Sequence, residues 1–290
     1  MNDIKEQINV LSLFDGMSCG QIALSKVGIE YDKYFASEID QEAIKATTKN
    51  YPNTIQLGSI TELKGSSLPK IDLLFGGSPC QSFSNAGNGK GFEGKSGLFW
   101  EYIRVLREVR PKYFLLENVM MKKEWRDIIS KELGVQPIQI NSNLVSAQNR
   151  KRLYWTNIPN ITEPEDKGIF IEDILDNKFD EKYWLKERNT ELLLKKVNIE
   201  NSPLVACIDV YNKKVKLDRK CPTLTLPHHN SIRLLQNKRI RKLTPSECEK
   251  LQNVPIGYTD CGISDIHRYS MLGNGWTVDV IAHIFSFLKK

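Results

Sequence analysis

The sequence has none of the features that would set it apart from ordinary globular proteins. No apolar run approaches the roughly 18 residues a membrane span needs. The longest candidate, Val280–Leu288, is short and interrupted by His283 and Ser286. The start, Met1-Asn-Asp-Ile-Lys-Glu-Gln7, lacks the basic and apolar stretches of a secretory leader. The six cysteines (19, 80, 207, 221, 248 and 261) include no Cys-x-x-Cys pair. With four histidines at no ligand spacing, they suggest no structural zinc site and no metal. In a chain this long they do not read as a disulfide scaffold but as reduced thiols of a cytoplasmic protein. A content of 40% hydrophobic and 26% charged residues excludes disordered, collagenous and coiled-coil classes. At about 150 residues per domain, the 290 residues make two domains, or one α/β domain carrying an insertion.

Acidic residues are scarce in one place. The net charge is only +6, but residues 211–242 hold ten bases against the single acid Asp218, whereas residues 162–200 hold eleven acids and seven bases. A basic run of this kind suits a solvated loop as well as a phosphate-binding strip, and charge alone does not separate the two.

The first half alternates strand and helix signals. Ile8–Phe14 is an apolar run ending in a glycine turn. Cys19–Val27 has helical spacing and stops at Gly28, a good C-cap. Strands are expected at Lys33–Ile39, Ile71–Phe75, Lys112–Glu117 and Val135–Ile140. Helices are expected at Asp40–Asn50, Leu98–Val109 and Glu124–Leu133. Repeated βα units of this length imply a parallel sheet covered on both faces, with ligands beyond the carboxyl ends of its strands. After Pro159 the alternation stops, and residues 160–240 are charged and irregular. Helical signals resume at Thr244-Pro-Ser-Glu247, a capping box with proline at the first helical position, and an amphipathic helix over about Thr277–Leu288 closes the chain. The layout predicts a domain over 1–159, a small region over 160–240, and a segment over 241–290 that completes the first domain.

Two constellations could carry chemistry. Phe14-Asp-Gly-Met-Ser-Cys-Gly20 lies between a strand and a helix, where glycines let backbone approach a ligand. Glu38 ends the next strand, where an acid can accept from a ribose. This is not Gly-x-Gly-x-x-Gly, and a purely structural turn explains it equally well. Gly76-Gly-Ser-Pro-Cys-Gln-Ser-Phe-Ser84 is sharper. It puts Cys80 just past a buried strand and ahead of five glycines in the eleven residues 87–97, a stretch suited to a lid. A free cysteine is ordinarily a small packed hydrophobe, but Pro79 and the glycine-rich flank favour an accessible thiol. Glu117 closes the apolar strand Tyr113-Phe-Leu-Leu116 at the same edge, and a carboxylate there needs a partner or a function.

Pro79-Cys80-Gln81, Glu117-Asn118-Val119 and Gln148-Asn-Arg150-Lys-Arg152 occur in the order and spacing of cytosine-5 DNA methyltransferases, and the chain resembles that family. Phe14–Gly20 is similar to its donor-binding turn. Arg241–Gln252 and Gly273-Asn-Gly-Trp276 resemble its last two motifs, so the likeness covers residues 8–158 and 241–288. Glu117-Asn-Val-Met-Met121, Val145–Arg150, Val254–Asp260 and Trp276 bring it nearest to the animal de novo class and its prokaryotic or phage relatives. The short insert favours a bacterial or phage enzyme. The resemblance implies a doubly wound, mostly parallel α/β sheet, the Rossmann-like architecture of S-adenosylmethionine-dependent methyltransferases, with a small irregular target-recognition insert.

It also implies roles. Cys80 would be the nucleophile that adds to C6 of a flipped-out cytosine in double-stranded DNA, turning C5 into a carbon nucleophile. Glu117 would bond the N3/N4 edge. Arg152 would contact O2 and, with Arg150, lower the thiol pKa. For the donor, S-adenosylmethionine, Phe14 would stack on adenine, Gly16 and Gly20 would allow close backbone approach, and Glu38 would bind the ribose hydroxyls. Ile39, Ile60 and Leu98 would line the adenosine pocket, with Asn274 and Trp276 closing it. Ser59 stands where the family usually has an aspartate for the adenine amino group. DNA would be met by Ser84 and Asn85 beside the nucleophile and by Arg241. Lys213, Lys214 and Lys216 are the expected phosphate contacts, and Arg233 and Arg239 the expected base contacts, with His228–Arg241 near the DNA. A monomer or homodimer in the cytoplasm of a bacterial or phage-infected cell is expected.

Three other readings compete. The tRNA-methylating branch of the family carries a late Cys-Phe-Thr that is missing here. A silent DNA-binding paralogue would lose the nucleophile or the donor turn, and both are kept. An NAD enzyme would want Gly-x-Gly-x-x-Gly and has no use for Cys80, Glu117 and Arg152 together.

Overall fold

A computed structural model describes residues 7–79, 97–200, 202–226 and 232–289. The expected alternation is there: β1 (Ile8–Leu13), α1 (Cys19–Lys26), β2 (Tyr31–Ser37), α2 (Gln41–Asn50), β3 (Ile55–Gln56), β4 (Leu73–Gly77), α3 (Leu98–Val109), β5 (Tyr113–Val119), α4 (Lys123–Leu133), β6 (Ile138–Asn141) and β7 (Lys151–Thr156). Helix ends follow their capping chemistry. The Asp40 carboxylate accepts from the N–H groups of Glu42 and Ala43 to start α2, and Gly134 closes α4 in the left-handed conformation.

These strands form one seven-stranded sheet in the order β3-β2-β1-β4-β5-β7-β6. β1 runs parallel to β2 and β4, and β4 parallel to β5, while β7 returns antiparallel to β5. The order reverses between β1 and β4, so β1–β3 build outward one way and β4–β6 the other. Right-handed crossovers then put helices on both faces. Alternation along the strands agrees: Leu11, Leu13 and Leu74 join Phe99, Tyr102 and Ile103 of α3 in one core cluster, whereas Phe75 meets Tyr34 and Phe285. Strand β7 has no separate signal in the sequence, because the Gln148–Arg152 motif runs into it.

The chain divides into two compact units. One comprises Met1–Ile140, Lys151–Glu163 and Ile281–Lys290; the other comprises Asn141–Arg150 and Pro164–Val280. Residues 241–280, expected to complete the first domain, therefore go with the second unit, and only the last ten residues join the first. The insert is also less irregular than its sequence suggests. It holds α5 (Glu187–Leu194), β8 (Val205–Asp209), β9 (Lys214–Val215), β10 (Ile232–Gln236) and β11 (Arg239–Arg241). The four strands pair antiparallel in the order β11-β10-β8-β9, and Leu193 and Val197 pack with Ile208, Leu235 and Ile240 in a separate small core. Helices α6 (Pro245–Leu251), α7 (Asp265–Asn274) and α8 (Val278–Ser286) follow, α6 with the expected capping box between Thr244 and Glu247. No helix among the described residues is long and apolar enough to cross a membrane.

Candidate active site

The carboxyl ends of β1 and β2 meet at a turn built on positive backbone angles. Phe14, Gly16 and Ser18 have φ of 57°, 58° and 64°, so the chain doubles back before α1 begins. A side chain at Gly16 would meet nothing within 4 Å, which leaves open space over that backbone; glycine is required there by conformation. The Gly16 N–H donates to Glu38 Oε2 at 2.7 Å, while Glu38 Oε1 accepts from the N–H groups of Ile39 and Asp40. Three N–H donors thus fix the carboxylate at the end of β2. Beside it Ile39 is 69% exposed, a large apolar surface left uncovered at the sheet edge. Phe14 and Leu98 both lie half-buried against the first-unit core.

Gly20 and Ile60 both have packing work. A Cβ on Gly20 would lie 2.3 Å from the Phe75 ring, so this glycine lets α1 close on β4. The Ile60 side chain is buried in the core, and its carbonyl accepts from Arg104 at 2.8 Å. Ser59 shares a 2.7 Å hydrogen bond with the Thr61 hydroxyl.

Asp15, inside the same turn, had no role assigned from sequence. Its Oδ1 accepts from the Tyr34 hydroxyl at 2.7 Å, and its Oδ2 is buried without a hydrogen-bond partner. Burial raises its pKa from 3.8 to about 6, a change opposed by hydroxyls of Ser12, Tyr34 and Ser18 and reinforced by the nearby Glu38.

A second cluster stands at the same edge, past β4 and β5. Gly77 pairs with Glu117, and Val119 with Arg152. Glu117 is only 8% exposed, and its Oε1 receives the Arg152 Nε at 2.9 Å. The expected carboxylate and guanidinium are therefore together, almost out of water, where Coulombic attraction is strong and the unpaired state costly. Asn118 turns the opposite way and donates to the carbonyl and hydroxyl of Ser78 at 3.3 and 3.0 Å. That bond ties β5 to the chain two residues before Cys80. Cys80, Ser84 and Asn85 lie outside the described residues, as do the first residues of the His228–Arg241 segment.

Arg150 lies deeper than Arg152. It is buried, and its guanidinium donates to the carbonyls of Leu224, Gly273 and Gly275 at 3.0, 3.2 and 2.9 Å. It belongs with the packing of the second unit, joining the Gln-Asn-Arg motif to the C-terminal motif. Gly273 serves the same packing, since a Cβ there would sit 2.5 Å from the Thr225 carbonyl oxygen. Asn274 is exposed and Trp276 half-buried in that motif.

The basic run is not one surface. Arg241, expected at DNA, is fully buried in a two-bond ion pair with Glu247 at 2.6 and 2.7 Å, and donates also to Gln236. A guanidinium enclosed in this way cannot reach a phosphate. Lys220 is buried too, its ammonium donating to the carbonyls of Asn143, Ser146 and Ile169. Arg219 pairs with Glu172. Arg239 lies over the Trp184 ring at 4.0 Å, with Glu181 at 3.7 Å. Arg233 is half-buried and donates to the Ile232 carbonyl; burial lowers its pKa. Lys213 and Lys214 remain exposed and Lys216 partly so.

The fold is that of the S-adenosylmethionine-dependent methyltransferases. The chain superposes on the Entamoeba histolytica methyltransferase EhMeth with a TM-score of 0.72 over 99% of this chain and 100% of that one, at 21% identity. The C-5 cytosine-specific DNA methylase family model matches residues 8–290, and the chain belongs to that family. It is 30% identical to the orphan methyltransferase M.Rho11sI of Bacillus phage rho11s over 66% of its own length and 48% of the relative's. It is 29% identical to the type II methyltransferase M.Bsp6I of Bacillus sp. (strain RFL6), over 98% of this chain and 99% of that protein. The chain thus spans about half the length of the phage relatives it matches.

Proposed function

We propose that this protein transfers a methyl group from S-adenosylmethionine to C5 of a cytosine extruded from double-stranded DNA, through a covalent bond between Cys80 and C6. The observation that carries the reading is the Glu117–Arg152 pair at 2.9 Å on the sheet edge, with Asn118 bonded to Ser78 just ahead of Cys80. The two charged groups match the two edges of a cytosine that must be held. The guanidinium suits O2, and the carboxylate suits the N3/N4 edge as the ring gains positive character. Attack of the Cys80 thiolate on C6 pushes electrons to C5, which then forms its new bond to carbon. Loss of the C5 proton and return of the C6–S electrons to sulfur complete the turnover.

The donor-side residues also fit. Glu38, fixed by three N–H donors, offers a carboxylate to a ribose diol; the open backbone at Gly16 admits a ligand; and exposed Ile39 offers an apolar face to adenine. When bound, S-adenosylmethionine supplies an electrophilic methyl carbon on a positively charged sulfur. The protein would act on duplex DNA in the cytoplasm of a bacterial or phage-infected cell, as a monomer or homodimer. The test is trapping on DNA that carries 5-fluorocytosine, whose fluorine cannot leave as a proton does. A denaturant-resistant complex should form with the donor present and vanish in Cys80→Ser. A complex that survives in Cys80→Ser, or that forms on tRNA and not on DNA, overturns the reading.

A further inference from the structure

The turn that follows β3 carries two neighbouring hydroxyls. Ser59 Oγ and Thr61 Oγ1 share a 2.7 Å hydrogen bond in which each can be the donor, and the Thr61 N–H donates to Ser59 Oγ at 3.3 Å. Ser59 is half-buried and Thr61 exposed. The turn is held from several sides. The Ser37 hydroxyl donates to the Gly58 carbonyl at 2.8 Å, and Arg104 of α3 donates to the carbonyls of Ile60 and Leu63 at 2.8 and 2.9 Å. Glu108 accepts from the Gly65 N–H at 2.7 Å. The hydroxyl pair is therefore presented at a fixed place.

Sheet order decides what that place faces. The strands run β3-β2-β1-β4-β5, with Glu117 near the end of β5 and Glu38 just past β2. A donor whose methyl carbon reaches toward Glu117 and whose ribose sits on Glu38 must carry its base on the other side of β2, at the end of β3. Neighbouring strands are about 4.8 Å apart, roughly the step from a ribose to the body of a purine. The Leu57 N–H donates to the Ala36 carbonyl, which keeps the chain beside β2 until two residues before Ser59.

Hydrogen-bond counting then separates a hydroxyl pair from a carboxylate. Ser59 Oγ has one proton and two lone pairs, and the Thr61 N–H takes one lone pair. When Ser59 donates to Thr61, its second lone pair can receive an amino group. When Thr61 donates to Ser59, the Ser59 proton can go to a carbonyl oxygen. Both arrangements keep the bond between the hydroxyls and leave Ser59 fully bonded. A carboxylate has no proton to give and serves the amino group alone.

We propose that Ser59 and Thr61 together read the 6-position of the donor's purine in both senses, so that the site takes a 6-oxo nucleoside as well as a 6-amino one. The inference rests on the reading under Proposed function, which puts an S-adenosyl donor at this edge. Thr61 becomes a specificity-determining residue, because its hydroxyl takes or returns the proton that Ser59 exchanges.

The test is calorimetry on the full protein with S-adenosylhomocysteine and its 6-oxo counterpart, S-inosylhomocysteine. The quantity read is the ratio of their Kd values, inosyl over adenosyl. The wild type should bind both within about 10-fold, the cost of one neutral hydrogen bond where N1 of the ring also differs. That N1 contribution is common to wild type and variants and drops out when their ratios are compared. Ser59→Asp should raise the ratio about 10- to 150-fold, as expected for a bond made only to a charged acceptor. Thr61→Val should move it the opposite way, lowering it about 2- to 10-fold, because the Ser59 proton loses its oxygen partner when an amino group is bound. Neither side chain belongs to the core, so both variants should fold as the wild type does. A wild type that binds only the adenosyl compound, an unmoved ratio in Ser59→Asp, or an unmoved or raised ratio in Thr61→Val overturns the inference. A wild type that binds neither compound overturns instead the reading on which it rests.

Discussion

Replacing Asp15 by asparagine tests the donor turn through a single titrating group. The folded carboxyl has a pKa of about 6 against an ordinary 3.8, so the native state holds this proton more tightly than the unfolded chain does. Its contribution to stability is therefore fully present below about pH 4 and is lost as pH rises through 6. At 1.36 kcal/mol for each tenfold change in proton affinity, the rise from 3.8 to about 6 corresponds to about 3 kcal/mol. Asparagine mimics the protonated form in shape and does not titrate. Any fixed cost of the substitution, such as an amide N–H left where Oδ2 has no partner, is the same at every pH. The quantity to measure is thus how the stability difference between wild type and Asp15→Asn changes with pH. Urea unfolding followed by tryptophan fluorescence should show the variant gaining about 3 kcal/mol on the wild type between pH 3 and pH 8. Tyr34→Phe, which removes a bond favouring the charged form, should move the wild-type titration to still higher pH. A difference between wild type and Asp15→Asn constant to within about 0.5 kcal/mol, the size of a neutral surface change, would refute the buried carboxylate.

Other perturbations probe separate parts of the first unit. Glu117→Gln should keep DNA binding while turnover falls about 10²- to 10⁴-fold, the usual cost of a positioned acid or base; near-normal single-turnover rates would make Glu117 structural. Glu38→Ala should weaken S-adenosylhomocysteine binding in calorimetry by about 1.5–3 kcal/mol for each charge-assisted bond lost, and it releases the Gly16 N–H as well; unchanged affinity would remove Glu38 from the donor site. Gly20→Ala forces a methyl group to within 2.3 Å of the Phe75 ring and should cost about 1–3 kcal/mol of stability. The double change Gly20→Ala with Phe75→Leu should recover part of that loss, and additive losses would show that the two residues do not meet.

Strong local periodicity made the first half legible. The buried positions of α3, at Phe99, Tyr102, Ile103 and Val105, recur at helical spacing, and Gly28 and Gly134 mark the two expected helix ends with positive φ. Glu38 and Glu117 stood out because strand ends in a parallel sheet converge on one edge, whereas Arg152, at the start of the antiparallel β7, was named by the family resemblance alone. The insert was not legible, since its strands are two to five residues long and too short for a period to register. Charge misled at Arg241. Sequence shows a guanidinium in a basic run, but not that Glu247, on the next helix, encloses it completely. Gly20 was legible only as a close approach, because approach to a ligand and approach to Phe75 demand the same residue. Asp15 was passed over for the opposite reason: nothing in Phe-Asp-Gly marks whether the carboxylate points to solvent or to Tyr34.

The route of the backbone bears on how the protein is made. It passes from one compact unit to the other four times, after residues 140, 150, 163 and 280. Neither unit is a single stretch of chain, so neither can be cut free by one proteolytic nick or expressed as one uninterrupted fragment. On a ribosome working N-terminus first, the earlier unit must wait for its final piece, including Phe285, which packs on Phe75. At about 5–20 residues per second, synthesis of the intervening residues 164–280 takes about 6–23 s. For that interval the nascent sheet stands without the end of its last helix, its Phe75 face uncovered there and open to chaperones.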